Sequence, residues 1–324
     1  MDAFQFIRAE SIGSAARHSA GSKFVAGGTN LIDMMKLDVE RPKIIVDING
    51  LPLDQITASP NGGLILGALA RNSDVAHHPV VQRDYAVLSH ALLSGASPQL
   101  RNMATTGGNL LQRTRCPYFR DTAHACNKRE PGSGCSAIDG HNRMLAILGT
   151  SEHCIATNPS DQNVALTALE ATIQIQGTNG ARTVPIHDFY KVPGATPHIE
   201  TVLQPGELIT SVTLPPPVTG KSVYLKLRDR AAYEFALASA AIVIKLSGAR
   251  IDYARVALGG VGTKPWRSPE AEAVLHGAPA DPVTFRRAAE AALKNARPQS
   301  QNGYKVELAR RCIVRALTTA TQTA

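Results

Sequence analysis

The sequence predicts an α+β chain in two parts, a larger unit over residues 1–215 and a smaller one over residues 216–324. Three observations carry that prediction. In the first part, short apolar runs of strand character alternate with stretches of helical spacing. At Pro215-Pro216-Pro217 three successive residues lack an N–H donor, and such a run extends neither a helix nor a central strand. Beyond the prolines, strand signals come first and two helices follow, the order of a small sheet completed by helices.

Taken from the N-terminus, Lys23-Phe24-Val25-Ala26 reads as a short buried strand ending in Gly27-Gly28-Thr29-Asn30, and Leu31, Met34, Met35 and Val39 continue with helical spacing. Lys43–Ile48 is a second apolar strand closed by Asn49-Gly50, and Gly63–Ala68 a third. From Asp84 to Ser94 the residues Tyr85, Leu88, Ala91 and Leu92 share a helical face, with Gly95 as the stop. The chain then reaches Thr105-Thr106-Gly107-Gly108-Asn109 and a cysteine-bearing loop. Asn158-Pro159-Ser160-Asp161 opens a helix with Val164, Ala165, Ala168 and Leu169 on one face. Ala171–Gln176 and Arg182–Pro185 read as strands, and Pro205-Gly206-Glu207 as a turn. In the second part Val223–Leu227, Ala240–Leu246 and Arg255–Leu258 are strands, followed by helices over Pro282–Asn295 and Tyr304–Thr318.

Composition narrows the function classes. Apolar residues are 44% and charged residues 19% of the chain, an ordinary globular balance. A formal charge of +8 suits an anionic cofactor, an acidic partner or nucleic acid. Basic residues are spread along the chain and aromatics are only 5%, which argues against nucleic acid. No run of 18 apolar residues occurs, so no membrane span is expected. Nor does the N-terminal stretch read as a secretory or twin-arginine signal.

Ala26-Gly27-Gly28-Thr29-Asn30 and Thr105-Thr106-Gly107-Gly108-Asn109 share one chemistry. Paired glycines let backbone N–H groups approach an anion, Thr and Asn add donors, and the first segment runs into a helix N-terminus. Two such loops suit a pyrophosphate held from both sides, although neither is G-x-G-x-x-G or a GK[ST] loop, and paired glycines also make plain turns. Between them and the Asn158 element lie four of the five cysteines, Cys116, Cys126, Cys135 and Cys154, spaced C-x9-C-x8-C-x18-C. That spacing is neither a C-x2-C zinc knuckle nor a bacterial ferredoxin run, yet four thiols in a loop rich in Gly, Pro, Arg and Asn point to a metal centre. An iron–sulfur cluster, a four-cysteine zinc site and two disulfides remain open on spacing alone. Gly132 and Gly134 supply N–H groups for the sulfurs, and Arg113, Arg115, Lys128, Arg129 and Arg143 offset a negative cluster. Cys312, four residues after Leu308, reads instead as a small buried hydrophobe.

These motifs together resemble the FAD-binding middle subunit of the xanthine dehydrogenase family of molybdenum hydroxylases. The resemblance runs over essentially the whole chain. It includes the two glycine segments, Asn158–Asp161, the Ile-Val-Asp-Ile strand, Asp188-Phe189-Tyr190, Leu203–Glu207 and Lys226–Arg230. It implies an FAD-binding domain of the vanillyl-alcohol-oxidase/CO dehydrogenase flavoprotein type, two α/β subdomains, with a small α+β C-terminal domain. It also implies that the FAD pyrophosphate lies against Ala26–Asn30 and Thr105–Asn109, with Ser160 and Asp161 near the ribityl or pyrophosphate. Tyr190 or Phe189 would pack by the isoalloxazine, and Lys226 would approach it.

Most such subunits join the second loop to the Pro-x-x-Asp element directly, whereas here 49 residues separate Asn109 from Pro159. The insert, about 112–155, is similar to those of the 4-hydroxybenzoyl-CoA reductase and bacterial periplasmic aldehyde oxidoreductase branches, which bind a 4Fe–4S cluster. The segments TRCPYF, ACNKR, PGSGC and CIATNPSD look closest to the second. By that resemblance Cys116, Cys126, Cys135 and Cys154 hold the cluster. The chain then works beside a small 2Fe–2S subunit and a large molybdopterin subunit and passes electrons to an external acceptor. Assembly in the cytoplasm and residence in the periplasm within a co-exported complex are the expectation for location. A stand-alone flavin oxidase and a scaffold with structural zinc are the alternatives from other classes.

Overall fold

A computed structural model describes residues 1–17 and 21–322. Three sheets succeed one another along the chain. The first is parallel, with β1 (Gln5–Arg8), β2 (Ser22–Val25) and β3 (Ile44–Asp47) in the order β1-β3-β2. Its central strand carries three successive apolar residues, Ile44, Ile45 and Val46, because both faces are covered. Ile45 packs with Met35, Leu31 and Ile32 of the helix Leu31–Lys36, while Val46 packs with Ala15, Leu51 and Leu69.

The second sheet is antiparallel and holds β4 (Ile56–Ala58), β5 (Leu64–Gly67), β6 (Thr172–Gly177), β7 (Gly180–Pro185) and β8 (Leu208–Leu214) in the order β4-β5-β8-β6-β7. Its middle strand, β8, is absent from the expected elements. The reason is a register shift between Gln174 and Ile175, which leaves Thr210 of β8 unpaired, so Ile209 and Val212, three residues apart, enter the same core and the alternation of the strand is broken. The helices Ala86–Ser94 and Asp161–Ala168 contribute to the core beneath this sheet, and all eight residues of the second helix are buried.

The third sheet comprises β9 (Lys221–Leu227), β10 (Ala238–Ser247), β11 (Arg250–Gly259) and β12 (Trp266–Arg267) in the order β12-β11-β10-β9. Ala240, Ile242 and Ile244 of β10 face the helices Pro282–Leu293 and Tyr304–Thr321, whereas Ala241 and Val243 join the core of the second sheet. The two parts of the chain therefore share this sheet as a common wall. Cys312 lies in the outer core, 1% exposed, where burial pushes its thiol up to about 12.

The insert carries one short helix, Pro117–Arg120, and a small core that includes Cys116, Phe119, Cys126, Leu145, Cys154 and Ile155. It is not an appendage of the first part alone. Ile147 and Leu148 donate their N–H groups to Val261 O at 2.8 and 3.0 Å, and Arg297 N–H donates to Ile147 O at 2.7 Å. Lys305, fully buried, donates to Met144 O at 2.8 Å and to Gly260 O at 2.7 Å.

No carboxylate accompanies Lys305 in these contacts, and burial, assisted by the Arg143 charge, lowers its ammonium from 10.5 to about 7. A neutral amine has two N–H groups, matching the two carbonyls. Between those values the unfolded chain binds a proton that the folded chain does not, so this group makes stability rise with pH from about 7 to 10.5. Below about 7 both states are protonated and the slope vanishes. Lys305→Met, which leaves the Met144 and Gly260 carbonyls without that donor, should be less stable at high pH and lack that rise. Urea unfolding across the pH range checks it, and an unchanged slope would show that the amine is solvated.

Candidate functional site

A cleft of about 970 Å³ opens between the first sheet, the second glycine segment, the insert and the chain from Tyr190 to Ile209. Its size suits a dinucleotide. Ala26, Gly27, Gly28, Thr29, Asn30, Thr105, Gly107, Gly108 and Tyr190 all line it.

The first glycine segment leaves β2 beside the end of β3. Asn49 grips it, donating from Nδ2 to Ala26 O at 3.0 Å while Asp47 Oδ1 accepts from the Asn49 N–H and Nδ2 at 3.0 and 2.7 Å. Gly27 is needed for space, since a Cβ there would stand 1.9 Å from Met103 O. Gly28 is needed for conformation, with φ at +71°. Among the described residues the N–H groups of Gly27, Gly28 and Thr29 have no backbone acceptor. Asn30 accepts the Arg113 N–H on Oδ1 at 3.0 Å, which leaves its Nδ2 buried and unpartnered in the cleft wall. A buried amide donor without an acceptor, beside three backbone N–H groups that also lack one, is what an anionic ligand would satisfy.

The second glycine segment differs from the expectation of a matching loop. Thr105 caps a short helix, Thr106–Leu110, and the N–H groups are committed internally. Thr106 N–H goes to Ala70 O at 2.9 Å, Gly107 N–H to Ala68 O at 2.8 Å, Gly108 N–H to Thr105 Oγ1 at 3.2 Å and Asn109 N–H to Thr105 O at 2.8 Å. This segment supplies shape rather than free donors. Thr106 and Asn109 do not line the cleft, and Asn109 Oδ1 instead accepts from Ser160 Oγ at 2.8 Å.

Ser160, Asp161 and Lys226 also stand away from the main cleft. Ser160 caps the buried helix through Asn163 N–H at 3.1 Å, and with Asp161 it lines a second cavity of about 220 Å³. That cavity shares Thr114, Thr157, Asn158 and Pro159 with the main cleft. Lys226, 3% exposed, is held by Asp161 Oδ2 at 2.8 Å and Ser94 O at 3.1 Å and lines neither cavity. Its charge is thus fixed between two elements. Tyr190 keeps its place on the wall, its hydroxyl donating to Leu110 O at 2.9 Å and its ring edge-on to Phe189 at 4.9 Å.

The four insert cysteines come together. Cys116, Cys126 and Cys154 are buried in one small core, Cys135 packs against it, and Cys126 and Cys135 sit opposite each other in an antiparallel bridge. All are free thiols. Cys154 lines the main cleft and Cys116 the second cavity. Burial pushes Cys116 up to about 12 and Cys154 to about 11, so a bound metal must displace protons from thiols that otherwise stay neutral. Ala156 N–H reaches Cys154 Sγ at 3.4 Å, whereas Gly134 N–H, expected at a sulfur, donates to Asn127 Oδ1 at 2.9 Å. Among the described residues no three His, Cys, Asp or Glu side chains converge as a single ion requires.

The insert cations also differ from their expected role, because most are already paired. Arg115 and Arg120 meet Asp33 at 3.0 and 2.9 Å, Arg143 meets Asp229 at 2.8 Å, and Arg113 and Lys128 meet Glu200. Glu40 and Glu200 line the cleft without any signal in the local sequence, since Arg113 and Lys128, which bind them, lie more than 70 residues away. A Gly27→Ala variant, forced against the Met103 carbonyl, should lose about 1–3 kcal/mol of stability. Thermal denaturation reads this directly, and an unshifted melting temperature would mean that the two segments separate freely.

Residues 2–217 match the FAD binding domain in molybdopterin dehydrogenase, and residues 223–320 match the CO dehydrogenase flavoprotein C-terminal domain. The aldehyde oxidoreductase FAD-binding subunit PaoB of Escherichia coli K12 is 52% identical over 99% of each chain. The glyceraldehyde dehydrogenase medium chain of Sulfolobus acidocaldarius is 33% identical, covering 83% of this chain and 79% of the other. Among solved structures, carbon monoxide dehydrogenase from Hydrogenophaga pseudoflava lacking the Mo-pyranopterin moiety superposes with a TM-score of 0.77 at 27% identity, over 98% of this chain and 97% of that one. The chain belongs to the FAD-binding medium subunits of the xanthine dehydrogenase and carbon monoxide dehydrogenase family of oxidoreductase complexes.

Proposed function

We propose that this chain carries FAD in the main cleft and a 4Fe–4S cluster in the insert, and passes electrons from a molybdenum-dependent aldehyde oxidation to an external acceptor. The observation that carries the reading is Cys154. It belongs to the four-cysteine core and also stands in the wall of the dinucleotide-sized cleft, so the two cofactor sites share a boundary.

The free N–H groups of Gly27, Gly28 and Thr29 and the Asn30 amide receive the pyrophosphate. Thr105, Gly107 and Gly108 form the opposite wall, and Tyr190 presents a fixed aromatic surface. FAD, when bound, supplies the exchange between one- and two-electron transfer. Four thiols gathered in one core without single-ion convergence suit a cubane, whose corners spread its ligands wider than one ion does. Cys116, Cys126, Cys135 and Cys154 are the proposed ligands. The names of the relatives, an FAD-binding subunit and a medium chain, support a complex with a small 2Fe–2S subunit and a large molybdopterin subunit. Loading the free thiols in a reducing cytoplasm before any transfer to the periplasm protects them from oxidation. No helix among the described residues is long and apolar enough to cross a membrane.

The purified complex should contain one FAD and bound iron on this chain. Cys126→Ser should lose that iron, and full iron content in the variant would defeat the ligand assignment. Gly28→Val places a β-branched residue at φ +71° beside Ile32 and should purify with little flavin. Stoichiometric flavin absorbance in that variant would remove this segment from the site.

A further inference from the structure

Five charged side chains on the cleft wall form one continuous line of ion pairs. Lys23 meets Glu40 at 3.4 Å, Glu40 meets Arg113, Arg113 meets Glu200, and Glu200 meets Lys128 at 2.7 Å. The line joins four separate stretches: β2, the turn after the helix Leu31–Lys36, the insert, and the loop ahead of β8. Lys128, only 9% exposed, also donates to Pro197 O at 3.0 Å. Burial would raise the Glu200 carboxyl, but the Arg113 and Lys128 charges overcome it and hold the group below its ordinary value. Arg113 acts twice, because its backbone N–H fixes Asn30 Oδ1 and so turns the unpartnered Nδ2 into a pre-oriented donor.

We infer that Arg113, Lys128 and Glu200 are positioning residues for the dinucleotide, an ionic clasp by which the insert fastens the loop around Glu200 to the first glycine segment and so holds the ligand in the cleft. The inference rests on the assignment of FAD to this cleft. It makes retention of FAD depend on the insert, through contacts that involve no cysteine. The clasp is built from partly buried pairs, so removing one partner strands the other charge in the wall and weakens the closed arrangement.

The test uses the full chain purified with its flavin, as wild type, Glu200→Gln, Lys128→Gln and Lys128→Arg. The rate of FAD release after dilution is followed by the rise in flavin fluorescence. The two Gln variants should release FAD at least about ten-fold faster, and Lys128→Arg should stay near wild type. Equal rates in all four, with flavin stoichiometric at the start, would overturn the clasp. Wild-type protein devoid of flavin would be a different failure, that of the cleft assignment itself. Should the Gln variants not fold, wild-type release is measured in rising potassium chloride. Acceleration with salt supports the clasp, because its Lys23 end is half exposed, and salt-independent release overturns it.

Discussion

Asp161 accepts hydrogen bonds from Lys226 and Tyr224 at a place almost closed to water, and the rest of the architecture is arranged around that carboxylate. It opens a helix with no exposed face, so the helix has nowhere to go except between the second and third sheets. Lys226 and Tyr224 come from β9, and Lys226 and Arg228 both donate to Ser94 O, where their charges complement the end of the helix Ala86–Ser94. Removing one partner of such a pair costs about 3–5 kcal/mol, because the other charge stays buried. A residue read as a flavin neighbour is in this way the weld between the two parts of the chain.

The same region explains how the insert is accommodated. Asn109 and Ser160, on either side of it, are joined by a hydrogen bond of 2.8 Å, so the chain departs and returns at one point. Extending a loop whose ends already touch adds only a slowly growing entropy. The insert then stabilises itself, with its own small core and with backbone contacts to Val261 and Arg297 in the second part of the chain. Its cysteines consequently occupy a fixed place between the cleft and the third sheet.

The cleft owes its character to an asymmetry. Two glycine segments of similar sequence form its walls, but one leaves its N–H groups open while the other folds them into a helical turn. Charge on the wall is mostly paired, and Asn30 remains the pointed donor because Arg113 holds its oxygen. Selectivity for an anionic ligand then comes from oriented dipoles more than from net charge.

Strands β2, β3, β5 to β7 and β9 to β11, the two long C-terminal helices and the proline break were legible because apolar periodicity and missing donors are local properties. The glycine segments and the four clustered cysteines were legible for the same reason: their chemistry is carried by residue type. Tertiary structure alone decided β8, whose alternation is broken by a register shift that exists only beside β6. It also decided the unequal roles of the two glycine segments, the capture of Lys226 by Asp161, and the pairing of Arg113 and Lys128 with Glu200. Each depends on an acceptor supplied from elsewhere in the chain. A sequence displays which groups are able to donate or carry charge, and only the fold determines which of them are already satisfied.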